Sequence, residues 1–296
     1  MQPVPSSIIK TYEARGPLQQ FRFQEATAFD CFRCSSSKKS KLITIYLGDW
    51  DKRLCNGCYG RLLSIYDIKS GTGADEDRID QLAETLRALV DESAIKRQEE
   101  LLLAKDTRLA KLTPEAIRFL ATSEKLSERL GDDPDLEWSP AVIGLCKAVE
   151  VEIVRRIIIP LAKQAAGASL GEDVNDKDIG RVAKFCSRPD GKPPEIGVFS
   201  HFLQTTIHSQ SRRENSPLIR AFLSLLADWP GSNWLLEPSG LHKSLVTLTS
   251  KFRNRAAHID ELDKSDYEAC RDLVAGENGM VWRLILASQS VGKKGK

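Results

Sequence analysis

The stretch Phe29–Tyr66, FDCFRCSSSKKSKLITIYLGDWDKRLCNGCYGRLLSIY, contains four of the chain's seven cysteines, arranged as two pairs. Cys31 and Cys34 form one CxxC pair, and Cys55 and Cys58 form the other. Two residues inside each pair allow both thiolates of a tight turn to face one ion, and four thiolates complete a tetrahedral zinc shell. The spacing therefore predicts a structural zinc ion (Zn2+) bound by all four cysteines.

The residues between the two pairs predict a short β-hairpin. Leu42–Leu47 alternates as a strand should, and Gly48-Asp49 supplies the turn. The residues after Cys58 have helical spacing up to Tyr66. A cysteine turn, a hairpin and a second cysteine turn that begins a helix are typical of a treble-clef zinc finger over Cys31–Tyr66. LCNGCYGRLL resembles the second half of a GATA-type finger, although the distance between the pairs is longer, so reading of DNA bases is not implied.

This segment is also basic. From Cys31 to Ser70, eight Lys and Arg face three Asp, a balance of +5. We therefore consider a nucleic-acid contact there. The candidate contact residues are Lys38, Lys39, Lys41, Lys52 and Arg53. The alternative is a solvated face on a finger that contacts only protein.

The rest of the composition is that of a soluble globular protein, with 296 residues, 41% hydrophobic, 28% charged and a net charge of +2. The longest apolar run, Ile157–Ala162, is too short to span a membrane. The N-terminus has no apolar core of a secretory signal. We therefore expect a cytoplasmic protein with no membrane association, in which the three single cysteines Cys146, Cys186 and Cys270 are buried thiols.

We divide the chain into three parts. Residues 1–70 form an N-terminal segment with the zinc finger, residues 71–112 an acidic helical connector, and residues 113–296 a helical domain. From Asp75 to Glu137, seventeen acids face ten bases, a balance of −7. Asp75–Leu112 reads as helix because it is rich in strong helix formers and lacks Pro and Gly.

The third part has almost no strand signal, so the predicted fold class is mainly α, a helical bundle preceded by the small finger. Thr113-Pro114 is typical of a helix start, and that helix should end at Gly131. Ser139-Pro140 begins the next helix, which Pro160 should kink or end. Ser265–Glu268 reads as a capping box. Further helices are predicted over Asp176–Cys186, Gly197–His208, Pro217–Asp228, Leu241–His258 and Ser265–Ser288.

The stretch Lys251–His258, KFRNRAAH, lies at the end of one of these helices. An all-α bundle with Arg-Asn-x-x-x-His late in the chain resembles the HEPN superfamily (higher eukaryotes and prokaryotes nucleotide-binding domains). Two other stretches are similar to helices of such domains, AVIGLCKAVEVEIVRRI at Ala141–Ile157 and LTPEAIRFLATSEKLSERL at Leu112–Leu130. The resemblance extends from about Thr113 to Ser288.

The resemblance implies a metal-independent endoribonuclease, with no catalytic metal, in which the 2′-hydroxyl of RNA attacks the adjacent phosphorus. Arg253, Asn254 and His258 would be the catalytic residues. His258 can transfer protons near neutral pH, and Arg253 can stabilise the phosphate charge. Asn254 would orient the histidine or hold the phosphate, and Glu150 is a candidate supporting partner. A homodimer, a regulatory protein partner and a role as a toxin, stress or antiphage effector are also implied.

Alternatives remain open at this point. Arg253 and His258 are five positions apart, about 140° around a helix, so either the helix unwinds near Ala256 or a second copy completes the site. The pattern also fits a non-catalytic nucleic-acid-binding or regulatory adaptor, in which His258 caps the helix and Arg253 pairs with Glu150. A third reading is a nucleotide sensor. Two other groups of residues are weaker candidates. The histidine pair His201 and His208 is more typical of ordinary packing than of a site. The basic pair Arg212 and Arg213, predicted to lie in a loop, could contact RNA.

Overall fold

The computed structural model describes residues 7–33, 36–72, 74–89, 92–131, 137–258 and 261–288. They form a mainly helical protein with one small antiparallel sheet near the N-terminus. We call the sheet and the helix that follows it the N-terminal module, residues 7–72, and the later helices the helical body. The predicted mainly α fold class, with a hairpin before the helices, is confirmed at this level.

Four strands form the sheet, each antiparallel to the next. They are β1 (Ile8–Thr11), β2 (Leu18–Asp30), β3 (Ser37–Tyr46) and β4 (Asp49–Leu54). The predicted hairpin is β3–β4, but its turn is Leu47-Gly48, one residue earlier than predicted. Both turn residues have positive φ, 54° and 75°. A two-residue type I′ hairpin turn requires this conformation, which glycine adopts without strain.

Strands β1 and β2 were not predicted from the sequence. Phe21 and Phe23 are buried on either side of exposed Arg22, and Phe21 pairs with Ile43. The register between β2 and β3 then shifts between Arg22 and Thr27. A bulge of this kind interrupts the alternation of buried and exposed side chains, so a sequence pattern with a period of two misses the strand.

The sheet contributes to two small cores. One core contains Phe21, Phe23, Phe29, Ile43 and Ile45. The other joins the sheet to the following helix and includes two of the predicted metal ligands. Its buried members are Leu18, Cys31, Tyr46, Leu54, Cys58 and Leu62.

Helices account for most of the remaining described residues. In chain order they are α1 (Asn56–Ser70), α2 (Asp75–Leu89), α3 (Glu92–Lys105), α4 (Pro114–Leu130), α5 (Ser139–Ile153), α6 (Ile159–Gln164), α7 (Gly171–Asn175), α8 (Gly180–Ser187), α9 (Ile196–His208), α10 (Gln210–Asn215), α11 (Pro217–Leu226), α12 (Ser232–Leu236), α13 (Leu241–Thr247), α14 (Asn254–Ala257), α15 (Lys264–Ala275) and α16 (Met280–Ser288). A short 3-10 helix covers Thr107–Lys111. The short helices α7, α10 and α12 were not predicted.

Two long helical segments contain a π-helical turn. Val154–Ile158 joins α5 to α6, and Leu248–Arg253 joins α13 to α14. Pro160 was predicted to kink or end its helix. It does not end the helical segment, which continues to Gln164. Proline lacks the N–H that an α-helix requires and crowds the preceding turn. The wider π turn just before it accommodates both effects, and Ile159 N–H bonds to the Val154 carbonyl.

Several helix ends agree with the sequence signals. The Thr113 side chain accepts a hydrogen bond from Ala116 N–H, and α4 ends at Gly131, whose φ is +66°. The capping box before α15 differs from the prediction. It is formed by Asp263 and Asp266, so the helix begins at Lys264 and the predicted box at Ser265–Glu268 is wrong. Asp263 was overlooked because Ser265 also matches the cap pattern, and its hydroxyl donates to the Asp263 carboxylate instead.

The acidic connector is part of the helical body. It was predicted as one helix from Asp75 to Leu112, but it consists of α2, α3 and the 3-10 turn. Ile79 and Leu82 on α2 are fully buried in the same core as the C-terminal helices. This segment therefore helps to enclose the core and is more than a spacer.

Among the described residues, none of the helices combines the length and the apolar character that crossing a bilayer requires. The three single cysteines are buried thiols, as predicted: Cys146, Cys186 and Cys270. Burial raises the pKa of Cys186 to about 12.

Candidate metal centre and candidate active site

Three of the four predicted zinc ligands lie together. The Sγ atoms of Cys31, Cys55 and Cys58 are all within 4.8 Å of one another. Cys31 follows β2, Cys55 follows β4, and Cys58 is in the first turn of α1. The fourth predicted ligand, Cys34, lies outside the described residues.

The chemistry of this cluster fits a soft metal ion. Cys55 N–H donates a hydrogen bond to Cys31 Sγ at 3.3 Å, as the donors that surround metal-bound sulfur do. Burial first, and then the neighbouring Cys31 and Cys55 thiols, raise the pKa of Cys58. A cation among the three sulfurs would reverse that shift, because thiolates bind the metal directly. The cluster can therefore hold a metal ion.

The predicted nucleic-acid residues of the N-terminal module lie in two environments. Lys38, Lys39 and Lys41 are exposed along β3. Lys52 and Arg53 are half-buried on β4, and Lys52 Nζ is 6.0 Å from the centre of the Phe32 ring. Only the first three are therefore open to a polyanion along their whole side chains.

Arg212 and Arg213 were predicted to lie in a loop. That prediction is wrong, because both residues lie on the short helix α10. Arg212 forms ion pairs with Asp176 at 2.9 Å and with Asp178 at 2.6 Å. Its charge is therefore largely neutralised within the chain, which weakens it as a phosphate ligand. Arg213 is exposed.

The Arg253–His258 motif spans the end of a helical segment. Arg253 is the last residue of the second π turn, Asn254 begins α14, and His258 caps α14 with an extended backbone. The His258 N–H bonds to the carbonyls of Asn254 and Arg255. Ala256 is helical and fully buried, so the unwinding near Ala256 that we considered is absent.

Arg253 and His258 differ in their burial. The Arg253 side chain is 2% exposed, and its Nη2 is 3.9 Å from Oε2 of Glu150. His258 is half-exposed at the helix end, and Asn254 is half-buried. Arg253 is thus enclosed in the core of its own chain beside Glu150, the residue that the sequence singled out as its partner.

Arg253 belongs to a chain of alternating charges. Glu150 also lies 3.3 Å from Lys147, Lys147 lies 2.7 Å from Asp80 on α2, and Asp80 lies 2.9 Å from Lys192. Burial would raise the pKa of Asp80, but the hydrogen bonds from the two lysines outweigh it and lower that pKa. Sequence analysis missed the three outer members, although the spacing of Lys147 and Glu150 by three residues on one helix is a signal for an ion pair.

This charged chain borders a cavity of about 450 Å³. Its walls come from α2, α4, α5 and the first π turn, and they include Glu84, Phe119, Glu150 and Arg155. Arg155 is exposed and has no ion-pair partner among the described residues. The helix α14 packs against α1, α2 and α5, so the motif lies where the N-terminal module, the connector and the helical body meet.

The histidines His201 and His208 are exposed on α9 rather than packed in the core as expected. They share a surface with His242 on α13, which sequence analysis did not single out. Burial, and then the charges of His208 and His201, lower the pKa of His242. In the part of the chain that the structure describes, the cysteine cluster alone brings three metal-ligating groups within 4.8 Å, so these histidines do not form a comparable set.

Searches against protein-family models, curated proteins and solved structures each return no match for this chain.

Proposed function

We propose that this protein is a metal-independent endoribonuclease of the HEPN type, acting in the cytoplasm. The observation that carries the proposal is the enclosed charge of Arg253. A guanidinium that is 2% exposed in a helical core is costly, and an apolar side chain of similar volume would stabilise the fold better. Charged groups in such surroundings are concentrated at functional sites, as are π turns, and Arg253 belongs to one.

In the proposed reaction, the 2′-hydroxyl of a ribose attacks the adjacent phosphorus while the bond from phosphorus to the 5′ oxygen breaks. The products carry a 2′,3′-cyclic phosphate and a 5′-hydroxyl. One group must remove the proton of the 2′-hydroxyl, and another must protonate the leaving 5′ oxygen. DNA lacks the attacking hydroxyl and is not cleaved.

His258 is the proton-transfer group in this proposal. Its half-exposed position at the end of α14 makes it accessible to substrate, and imidazole changes its protonation near neutral pH. One histidine serves only one of the two proton transfers at a time. A homodimer with two facing motifs would supply the second histidine. For this reason, the proposed function includes a homodimer.

The enclosed position of Arg253 changes the role that we assign to it. Arg253 ends the π turn and lies 3.9 Å from Glu150, and Asn254 directly follows that turn. We assign Arg253 the role of a positioning residue in this state and Asn254 that of a hydrogen-bond donor to the phosphate. Direct contact of Arg253 with the phosphate would require the pair with Glu150 to separate.

The N-terminal module is, in this proposal, a treble-clef finger with a structural zinc ion bound by Cys31, Cys34, Cys55 and Cys58. Thiolate sets on two turns favour zinc. The exposed lysines of β3 would contact RNA phosphates and add sequence-independent affinity. Uncontrolled RNA cleavage arrests growth, so a toxin, stress or antiphage effector restrained by a regulatory protein is the cellular role that suits this activity.

One observation favours a second candidate function. The pairing of Arg253 with Glu150 is also what a purely structural arginine would make. In that case the protein would be a non-catalytic adaptor that binds nucleic acid or a regulatory protein through its N-terminal module, and the motif would be scaffold.

The test is cleavage of total RNA and tRNA by the purified, zinc-loaded protein without added metal, repeated in EDTA. His258→Ala should abolish cleavage, and Arg253→Lys should weaken it. His208→Ala, which removes an exposed histidine elsewhere, should cleave as wild type does. Circular dichroism of each variant checks folding, and end analysis should find 2′,3′-cyclic phosphates.

Two outcomes would reject the ribonuclease. Equal cleavage by all variants would identify a contaminant. Absence of cleavage by every protein, combined with RNA binding that His258→Ala does not change, would favour the adaptor.

A further inference from the structure

A second cavity, of about 370 Å³, lies between the N-terminal module and the helical body. This volume is within the range of small-molecule sites in proteins. Its lining includes apolar and aromatic residues, which we call the aromatic wall: Pro17, Tyr46, Leu62 and Tyr66. It also includes charged residues, which we call the charged wall: Lys69, Glu137 and Glu261.

The aromatic wall is held in place. A side-chain carbon at Gly16 would lie 2.2 Å from the Tyr66 ring, so the ring packs directly on the glycine backbone. Gly16 has a φ of +58°, which glycine adopts without strain. The Tyr66 ring is therefore a fixed, flat surface of the kind on which nucleic-acid bases stack.

The charged wall contains one satisfied ion pair. Lys69 Nζ donates to Glu137 Oε2 at 2.9 Å and to Ser139 Oγ at 3.2 Å. The two charged side chains of this pair are only 3% and 9% exposed. This pair joins the end of α1 to the beginning of α5 and has little capacity left for a ligand.

Glu261 differs from that pair. It has no hydrogen-bond or ion-pair partner within the ranges that the structure describes, although it lines the cavity. Glu261 is an exposed residue, and its partial desolvation first, and then the charge of Glu137, raise its pKa, while Lys69 opposes the shift. A carboxylate beside an apolar wall with two open oxygens is suited to a ligand that offers hydrogen-bond donors.

The cavity is close to the Arg253–His258 motif. Glu261 follows His258 by three residues, a separation of about 11 Å at most. The carbonyl of Leu262 accepts a hydrogen bond from Trp138 N–H at 3.1 Å, which fixes this segment against the start of α5. In addition, α1 packs against α14. A nucleotide whose phosphate lies at His258 can therefore reach the cavity with its base.

We infer that this cavity binds the guanine base of the RNA nucleotide next to the cleaved bond, and this inference rests on the ribonuclease proposed above. The base would stack on Tyr66 and donate from N1–H and N2–H to the two carboxylate oxygens of Glu261. Guanine presents two adjacent donors on its Watson–Crick edge. Adenine and cytosine present one donor beside an acceptor, and uracil presents one donor between two acceptors, so each would direct an acceptor at the carboxylate.

A different occupant would be an arginine side chain of a protein partner, because a guanidinium also offers two parallel donors to a carboxylate. Proximity to the motif favours the base, because a base is covalently linked to the phosphate that His258 would contact. A partner protein's arginine has no such link, and it is therefore an outcome of the test rather than the inference.

The first experiment measures binding by calorimetry to the full zinc-loaded wild-type chain, because the probes contain no bond that the proposed reaction could cleave. The probes are guanosine, adenosine, cytidine and uridine 3′-monophosphates and N-acetyl-arginine amide. We expect the guanosine probe to bind at least tenfold more tightly than the others. Glu261→Gln and Tyr66→Leu should each weaken it about tenfold, whereas Glu172→Gln, an exposed acid elsewhere, should not.

The second experiment sequences the RNA ends left by cleavage. Wild-type protein should cut next to guanine more often than next to the other bases. In the Glu261→Gln variant, the ratio of cuts next to guanine to cuts next to the other bases should fall. Guanosine binding that depends on Glu261 without any cleavage would support the cavity and reject the ribonuclease. Cleavage without base preference, or tighter binding of the arginine probe than of guanosine, would overturn the inference.

Discussion

The guanidinium of Arg253 lies 3.9 Å from the carboxylate of Glu150, and the two side chains are 2% and 18% exposed. Neither residue belongs to the N-terminal module, and the two lie on helical segments that are far apart in sequence. Each segment contains a π turn close to the pair, and Arg253 itself ends one of them. The enclosed arginine and this acid therefore form an ion pair between two helical segments of the same chain.

Removing that acid should destabilise the protein. Glu150→Gln removes a carboxylate from beside the buried Arg253 charge, and we expect the free energy of unfolding to fall by about 2–4 kcal/mol. Urea unfolding followed by circular dichroism measures it. Glu84→Gln, an exposed acid on the wall of the neighbouring cavity, should change it by less than about 0.5 kcal/mol. Equal effects of the two substitutions would mean that the pair contributes little.

Removal of the buried carboxylate of Glu152 should destabilise the protein even more. It is fully buried, accepts hydrogen bonds from the Thr113 N–H at 2.7 Å and from the Thr113 hydroxyl at 2.8 Å, and pairs with Arg156. Glu152→Ala removes the anion from this network, and we expect a loss of about 3–5 kcal/mol. Thermal unfolding tests this prediction against Glu128→Ala, which breaks a surface pair with Lys125 and should cost about 0–1 kcal/mol.

The stability of the protein should depend on pH through Asp80. Because its pKa is lowered in the folded state, its contribution is present above the unfolded-state pKa of about 3.9 and is lost as pH falls through the lower folded value. The carboxylate is partly exposed, so we expect wild type to exceed Asp80→Asn by no more than about 1 kcal/mol at pH 7. The difference should shrink as the pH falls below the unfolded-state pKa and through the lower folded-state value, and a constant difference at every pH would contradict this prediction.

The metal centre should be necessary for the N-terminal module. Metal analysis should find one zinc ion per chain, and removal with a strong chelator should unfold the module, because metal binding and folding are coupled in small zinc domains. Cys34→Ser and Cys55→Ser should each lower zinc occupancy. Cys186→Ser, which removes a buried thiol outside the cluster, should keep it. A full zinc content in Cys34→Ser would remove Cys34 from the ligand set.

Two glycines should respond in opposite directions to the same substitution. Gly131 ends α4 with a φ of +66°, so Gly131→Ala should lower stability by about 1 kcal/mol or more. Gly60 is in the interior of α1, and no heavy atom lies within 4 Å of the carbon that alanine would add. Gly60→Ala should raise stability by about 0.5–1 kcal/mol. Comparison of the two melting temperatures checks both signs.

Much of the helical body could be predicted because its boundaries have local causes. The start at Thr113-Pro114 and the end at Gly131 follow from hydrogen bonding and backbone conformation within a few residues. The same is true of the hairpin β3–β4. The cysteine cluster was predictable because ligand spacing is a local property, and three of the four predicted ligands lie together.

The features that sequence analysis missed depend on contacts between distant residues. The bulge in β2 is fixed by pairing with β3, and the π turn before Pro160 widens a helix that the proline alone would be expected to end. The burial of Arg253 and its compensation by Glu150 depend on how two helical segments pack. Arg212 looked like a free basic residue because Asp176 and Asp178 approach it only in the folded chain.

The helix α1 has a consequence for the whole chain. Cys58 is in its first turn, Lys69 is in its last, and its 15 residues span about 22 Å. One end of this helix therefore belongs to the cysteine cluster, and the other is joined to the helical body by the buried Lys69–Glu137 pair. If the cluster binds the proposed zinc ion, loss of that ion would free one end of the helix and weaken its attachment at the other. The supply of zinc in a cell would then control whether the segment that contains His258 is correctly assembled.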